Sequence, residues 1–172
     1  MVELSVSRLG LDSATNAYVV MLREKAGTRV LPIWIGKPEA ESILMQMNQL
    51  KRERPLTHDL CKSLITALGG ALRRVTISRV EKNTYFAELH LDGANGLVTL
   101  DARPSDSIAI ALRLASPIFA AEELLAAMDL EDEEASDRAL AADSPSGQEL
   151  TPEQLQAYLE TLRPEDFGKF NP

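Results

Sequence analysis

Cysteine is almost missing from this sequence: Cys61 is the single one in 172 residues. That excludes an internal disulfide and a cysteine-based zinc site. Histidine is nearly as scarce, with only His58 and His90, so one chain cannot assemble a multi-histidine metal centre. Aromatic residues make up 5% of the chain. No apolar run approaches the roughly 20 residues a membrane-spanning helix needs. The opening Met1-Val2-Glu3-Leu4-Ser5-Val6 lacks the basic-then-apolar layout of a signal peptide. The expected setting is the cytoplasm, with no membrane partner and no organic cofactor.

A uniform charge is missing too. The formal net charge of −8 is unevenly placed. Residues 1–120 carry 15 Lys/Arg against 12 Asp/Glu, a net of +3, whereas residues 121–172 carry 3 against 14, a net of −11. A body at +3 is no basic footprint for nucleic acid of the usual kind.

What is present is an ordinary apolar content of 45%, arranged with clear periods. Val2, Leu4 and Val6 alternate with polar residues as a strand, and Leu9 to Asn16 reads as a turn region. Ala17 to Leu22 is a second strand. Val30 to Ile35 is a third, placed at an edge or bulge by Pro32. Residues 39–50 show a helical stripe of Ala40, Ile43, Leu44 and Met47. Thr57 is expected to cap a second helix, with Leu60, Leu64, Ile65 and Leu68 as its buried stripe and Gly69-Gly70 as its stop. The pattern then restarts. Strands are expected at 72–80, 84–91 and 97–101, with Asp92 to Gly96 as a hairpin turn. His90 falls on a polar face and is expected to be exposed. A helix begins near Pro104 and breaks at Ser116-Pro117, and Ile118 to Met128 reads as a further helical piece.

Both third strands exit through a cation and a proline, at Lys37-Pro38 and Arg103-Pro104. The expected architecture is α+β: duplicated β3α2 units, about 1–70 and 71–128, forming one strongly curved, barrel-like mixed sheet with helices packed outside. Residues 129–149 read as an acidic flexible linker. Residues 150–172 read as a short C-terminal helical extension, with Leu155, Tyr158, Leu159 and Leu162 on one face.

The densest chemistry lies at 100–113. Asp101, Arg103, Ser105 and Asp106 sit between an apolar strand and an Ala/Ile/Leu helix. Ser105 or Asp106 is suited to capping that helix, and a carboxylate there suits its positive end. Capping leaves Asp101 and Arg103 open as either a local ion pair or a site. Glu39, Glu41 and Asp59 occupy other helix first turns, where carboxylates are favourable for structural reasons alone. Trp34 and Tyr85 are suited to base stacking or, more commonly, to core packing.

The segments Leu31-Pro32-Ile33-Trp34-Ile35-Gly36, Glu39-Ala40, Arg54-Pro55-Leu56-Thr57-His58-Asp59-Leu60, Tyr85-Phe86-Ala87 and Asp101-Ala102-Arg103-Pro104-Ser105-Asp106 together resemble the bifunctional nuclease family. The resemblance covers roughly residues 1–127. It implies a hydrolase of DNase and RNase type, acting on nucleic acid with low sequence preference. It supplies no mechanism, so roles are assigned from the residues. Asp101, Asp59, His58, Arg103 and Asp106 are the catalytic candidates, with His58 as general acid or base. Lys37, Arg54 and Ser105 are candidates for binding substrate, and Arg103 for clamping phosphate. Asp101, Asp59 and Glu39 are the carboxylates suited to Mg2+ or Mn2+. A homo-oligomer is expected, a dimer first. The rival expectation is a non-enzymatic interaction or ligand-binding module whose polar motifs are structural.

Overall fold

Alternating apolar residues account for most of the strands in the computed structural model, which describes residues 1–12, 15–50, 53–94 and 96–128. The elements run β1 (Val2–Leu11), β2 (Tyr18–Glu24), β3 (Val30–Ile35), α1 (Lys37–Met47), α2 (Thr57–Ala67), β4 (Ala71–Glu81), β5 (Thr84–Gly93), β6 (Gly96–Ala102), α3 (Pro104–Leu114), β7 (Ile118–Ala120) and α4 (Glu122–Met128). The fold is α+β, a seven-stranded mixed sheet in the order β3-β2-β1-β7-β4-β5-β6. Two antiparallel three-stranded meanders meet through β7, which runs antiparallel to β1 and parallel to β4. The sheet curls into a half-barrel. One cleft is lined by residues from β3 and by residues of the β6–α3 joint, although β3 and β6 are opposite edges of the sheet. The acidic linker and C-terminal extension expected at 129–149 and 150–172 lie outside the described residues.

One face of the sheet carries the core. Val20, Leu22, Leu31 and Ile33 from the first meander join Val75, Ile77, Ala87 and Leu89 from the second, beneath Ile43 of α1, Ile108 to Ala111 of α3 and Leu124 and Leu125 of α4. Pro32 stands on edge strand β3 opposite Met21, where its missing N–H costs no ladder bond.

Several expectations are corrected. Leu9 to Leu11 continue β1 instead of turning. The register slips between Val6 and Arg8, so a bulge resets the alternation and returns Leu9 to the core side. Residues 118–120 are a strand, not helix: Pro117 breaks the chain, and the β-favouring Ile118-Phe119 fills the gap between β1 and β4. Leu56, not Thr57, is the N-cap of α2, and Arg103, not Ser105 or Asp106, is the N-cap of α3. The stripe on α2 is only partly buried. Ile65 and Cys61 pack on the core, whereas Leu60, Leu64 and Leu68 are exposed, Leu68 at 79%. His90 is largely covered, because Thr76 and Thr99 bond its two ring nitrogens at 3.1 and 3.3 Å from the neighbouring strands. Among the described residues no helix is long and apolar enough to cross a membrane.

Because β7 alone joins the two meanders, its buried Ile118 should matter beyond its size. Ile118→Ala is expected to lower unfolding free energy by roughly 2–5 kcal/mol, as for other buried Ile→Ala changes. A urea titration followed by circular dichroism checks this through its midpoint.

Candidate functional site

Three helices begin alike. The N-caps are Gly36, Leu56 and Arg103, all extended, with ψ of 156°, 177° and 143°. Three positions further on, each helix carries a carboxylate in its first turn: Glu39, Asp59 and Asp106. This is the position from which an acidic side chain reaches back to the cap N–H. Only Asp59 does so among the described hydrogen bonds, accepting from the Leu56 N–H at 2.9 Å. Glu39 and Asp106 turn instead toward Arg103.

Arg103 is the centre of the first cluster. Its Nε donates to Asp106 Oδ2 at 2.7 Å and its Nη2 to Asp106 Oδ1 at 3.0 Å, a bidentate pair. The same Nη2 lies 2.8 Å from Glu39 Oε1. Arg103 thereby ties the β3–α1 joint to the β6–α3 joint. Its side chain is 65% exposed, so the charge stays open to solvent while its geometry is held. Gly36 makes room for this: a methyl at that position would strike the Glu39 carboxylate.

His58 extends the cluster inward. Its Nε2 is 3.0 Å from Asp106 Oδ1, and its Nδ1 is 2.8 Å from Ser42 Oγ on α1. Burial pushes the Asp106 carboxyl up, but hydrogen bonds from Arg103 and His58 outweigh it and hold the group below the usual carboxylate range. Asp106 is therefore an acceptor, so Nε2 carries a proton and donates to it. With Nε2 protonated, the Nδ1-unprotonated tautomer would accept a hydrogen bond from the Ser42 hydroxyl. Ser42 is 5% exposed and the His58 side chain 12%, so this pair forms the closed inner end of the cluster.

A second limb meets the first at Ser42. The Arg113 side chain, 3% exposed, donates from Nε to Asp59 Oδ1 at 2.6 Å, from Nη1 to the Ala109 carbonyl at 3.0 Å and from Nη2 to the Ser42 carbonyl at 3.3 Å. At Asp59, burial again raises the pKa, and the bonds from Arg113 and the Leu56 N–H overcome it, with a net lowering. The polar chain is continuous: Glu39, Arg103, Asp106, His58, Ser42, Arg113, Asp59.

The structure thus brings together Glu39, His58, Arg103 and Asp106, and places Asp59 at the far end of the same chain. Asp101 is elsewhere. In the β5–β6 ladder it lies opposite Glu88, on the face shared with His90 and Thr99, while Ala87, Leu89 and Leu100 mark the helix-covered face. Ser105 is buried and lines the cleft beside Arg103, together with Trp34, Gly36 and Tyr85, a space of about 280 Å3. Arg54 lines a different cleft of about 360 Å3 with Asp59 and Arg113. Lys37 stands 3.9 Å from Glu41 and lines neither cleft. The carboxylates suited to a metal, Asp101, Asp59 and Glu39, are not assembled, and among the described residues no group of three or more His, Cys, Asp or Glu is placed to hold an ion. Of the nearby carboxylates, Glu39 and Asp106 are paired with Arg103 and Asp59 with Arg113. Two members escaped sequence reasoning, Ser42 and Arg113. The signal for Arg113 was a lone cation in the otherwise apolar run from Ile108 to Leu114.

Comparison with known proteins then narrows the family. The model of the bifunctional nuclease domain matches residues 20–133. An uncharacterised protein of Mycobacterium tuberculosis is 38% identical over 167 residues, covering 97% of this chain and 98% of the relative. Bifunctional nuclease 1 of Arabidopsis thaliana is 29% identical over 110 residues, which is 62% of this chain and 34% of that protein. The rice bifunctional nuclease 1 (subspecies japonica) is 28% identical over 110 residues, 62% of this chain and 33% of its own length. The chain therefore spans about a third of the plant relatives.

Two outcomes follow from the clustered charges. Asp59→Ala leaves Arg113 buried and unpaired, and is expected to cost about 3 kcal/mol, the low end for a broken buried pair because Asp59 is itself partly exposed. A thermal melt checks it. Asp59 and Asp106 have folded pKa values below their unfolded ones, so their contribution is present above about pH 4 and is lost as pH falls through the folded values. The acid-induced fall in Tm should be shallower in Asp106→Asn than in wild type.

Proposed function

Since the chain belongs to the bifunctional nuclease domain family, we propose that it hydrolyses phosphodiester bonds in DNA or RNA at the cleft beside Arg103. The observation that carries this reading is a guanidinium held by two carboxylates yet exposed, in a cleft whose lining also includes Trp34 and Tyr85. Arg103 offers N–H donors to a non-bridging phosphate oxygen and stabilises the charge that grows there in the transition state. Glu39, in contact with Arg103, takes the proton of the attacking water. The water oxygen bonds to phosphorus as the bond to the leaving ester oxygen breaks, and that oxygen is protonated from solvent. Asp106 and His58 position Arg103; they are not required to touch the substrate.

The two third-strand exits support the further reading that the halves descend from one duplicated β3α2 unit. Both run from a strand through an extended cap to a proline in the first two helical positions and a carboxylate at the third, and their meanders flank β7.

A second reading is favoured by one specific observation, the burial of Ser42, His58 and Arg113 in the same polar chain. In it the motif is a lock between three helices of a binding module.

Highly purified full-length protein, assayed on labelled single- and double-stranded DNA and RNA with Mg2+, Mn2+ or EDTA, separates the two. On the hydrolytic reading, Arg103→Ala loses roughly 100-fold or more in kcat, as when one charge-stabilising donor is removed, with Asp101→Ala as an active control. Unchanged cleavage by a folded Arg103→Ala protein removes that residue from the chemistry. No cleavage under any condition moves the reading to the binding module.

A further inference from the structure

Trp34 does not behave like a core residue. It sits on edge strand β3 and is 49% exposed. Its indole N–H donates to Asp12 Oδ2 at 3.0 Å, which satisfies the polar edge of the ring. Trp34 is among the residues that line the cleft beside Arg103, together with Tyr85 and Pro104. Tyr85 packs partly against the core, so of the two aromatics the tryptophan is the one open to a ligand.

Charge cannot carry the binding of a duplex here. Non-specific affinity for double-stranded nucleic acid comes from neutralising several phosphates with a basic surface. Residues 1–120 have a net of only +3, and Arg103 and Arg113 are already matched by carboxylates. Stacking is the remaining source of affinity, and it requires a base with a free face. A space of about 280 Å3 lies near the lower bound for a small-ligand pocket, room for one ring system and not for a base pair.

We propose that the cleft takes one unpaired base on the face of Trp34, with the adjoining phosphate at Arg103, so that the substrate class is single-stranded nucleic acid. This rests on the hydrolytic reading for its consequence, and on the geometry of the cleft for binding. Trp34 is the only tryptophan, so intrinsic fluorescence reports on it directly. The probes are a phosphorothioate 12-mer of thymidine, which resists cleavage, and a 12-base-pair duplex. The single strand should quench saturably and bind more tightly than the duplex. By anisotropy of a labelled single strand, Trp34→Ala should weaken binding roughly 5- to 150-fold, the range for one stacked base, while Trp34→Phe restores part of it. Equal binding of strand and duplex, or binding untouched by Trp34→Ala, overturns the proposal. Cleavage that persists with no quenching overturns it while leaving hydrolysis standing. Quenching without cleavage keeps the base site and removes the hydrolytic reading.

Discussion

The polar chain that joins α1, α2 and α3 depends on where Arg113 sits. A guanidinium with its side chain 3% exposed is tolerable only if its donors are met, because an unpaired buried charge costs several kcal/mol. Asp59, the Ala109 carbonyl and the Ser42 carbonyl meet them. Those partners come from α2, α3 and α1, so satisfying one cation orients three helices. Ser42 then has its hydroxyl placed for His58, which has its other nitrogen placed for Asp106, which in turn holds Arg103. The exposed end of the chain is rigid because the buried end admits few alternatives. A half-satisfied version would be worse than an apolar one, which gives the network its cooperative character.

The sheet sorts the remaining carboxylates by the simplest rule available, a period of two. Asp101 is the penultimate residue of β6 and Asp106 lies in the first turn of α3. They are near neighbours in sequence, yet the ladder sends Asp101 to the face of Glu88 and His90, while the turn at Arg103 carries Asp106 over the opposite face. Sequence proximity suggested one site. Strand alternation makes them two environments, one open and one engaged.

Most of the strand plan was legible, because alternation and turn residues are local signals. The edge position of β3 was legible from Pro32 alone. The failures have identifiable physics. The bulge in β1 shifts the period in mid-strand, so alternation alone does not carry the strand through Leu9. Strand β7 is three residues long and owes its form to a slot between two distant strands, which no local window contains. Leu60, Leu64 and Leu68 have helical spacing, and spacing cannot say whether a partner element exists to cover them. At the site, helix starts revealed Glu39, Asp59 and Asp106 as first-turn acids, but first-turn acids are commonplace. What made them informative was which arginine each one meets, and both pairings to Asp59 and Glu39 cross between helices.

The same organisation decides where chemistry can occur. Ser42 and His58 have the order of a proton relay ending on Asp106, yet a hydroxyl that is 5% exposed cannot meet a phosphodiester in a polymer without helix α1 moving. Moving α1 would also pull the Ser42 carbonyl from Arg113 and leave a buried cation short of a partner. The closed end is therefore costly to open, and the reactive end must be the one already facing water. Arg103 is there, oriented by two carboxylates, in a cleft that Trp34 also lines. Its pairing with those carboxylates also weakens its pull on bulk anions. Affinity must then come from a group that fits the cleft, so recognition by shape and stacking follows from the same bonds that hold the helices in place.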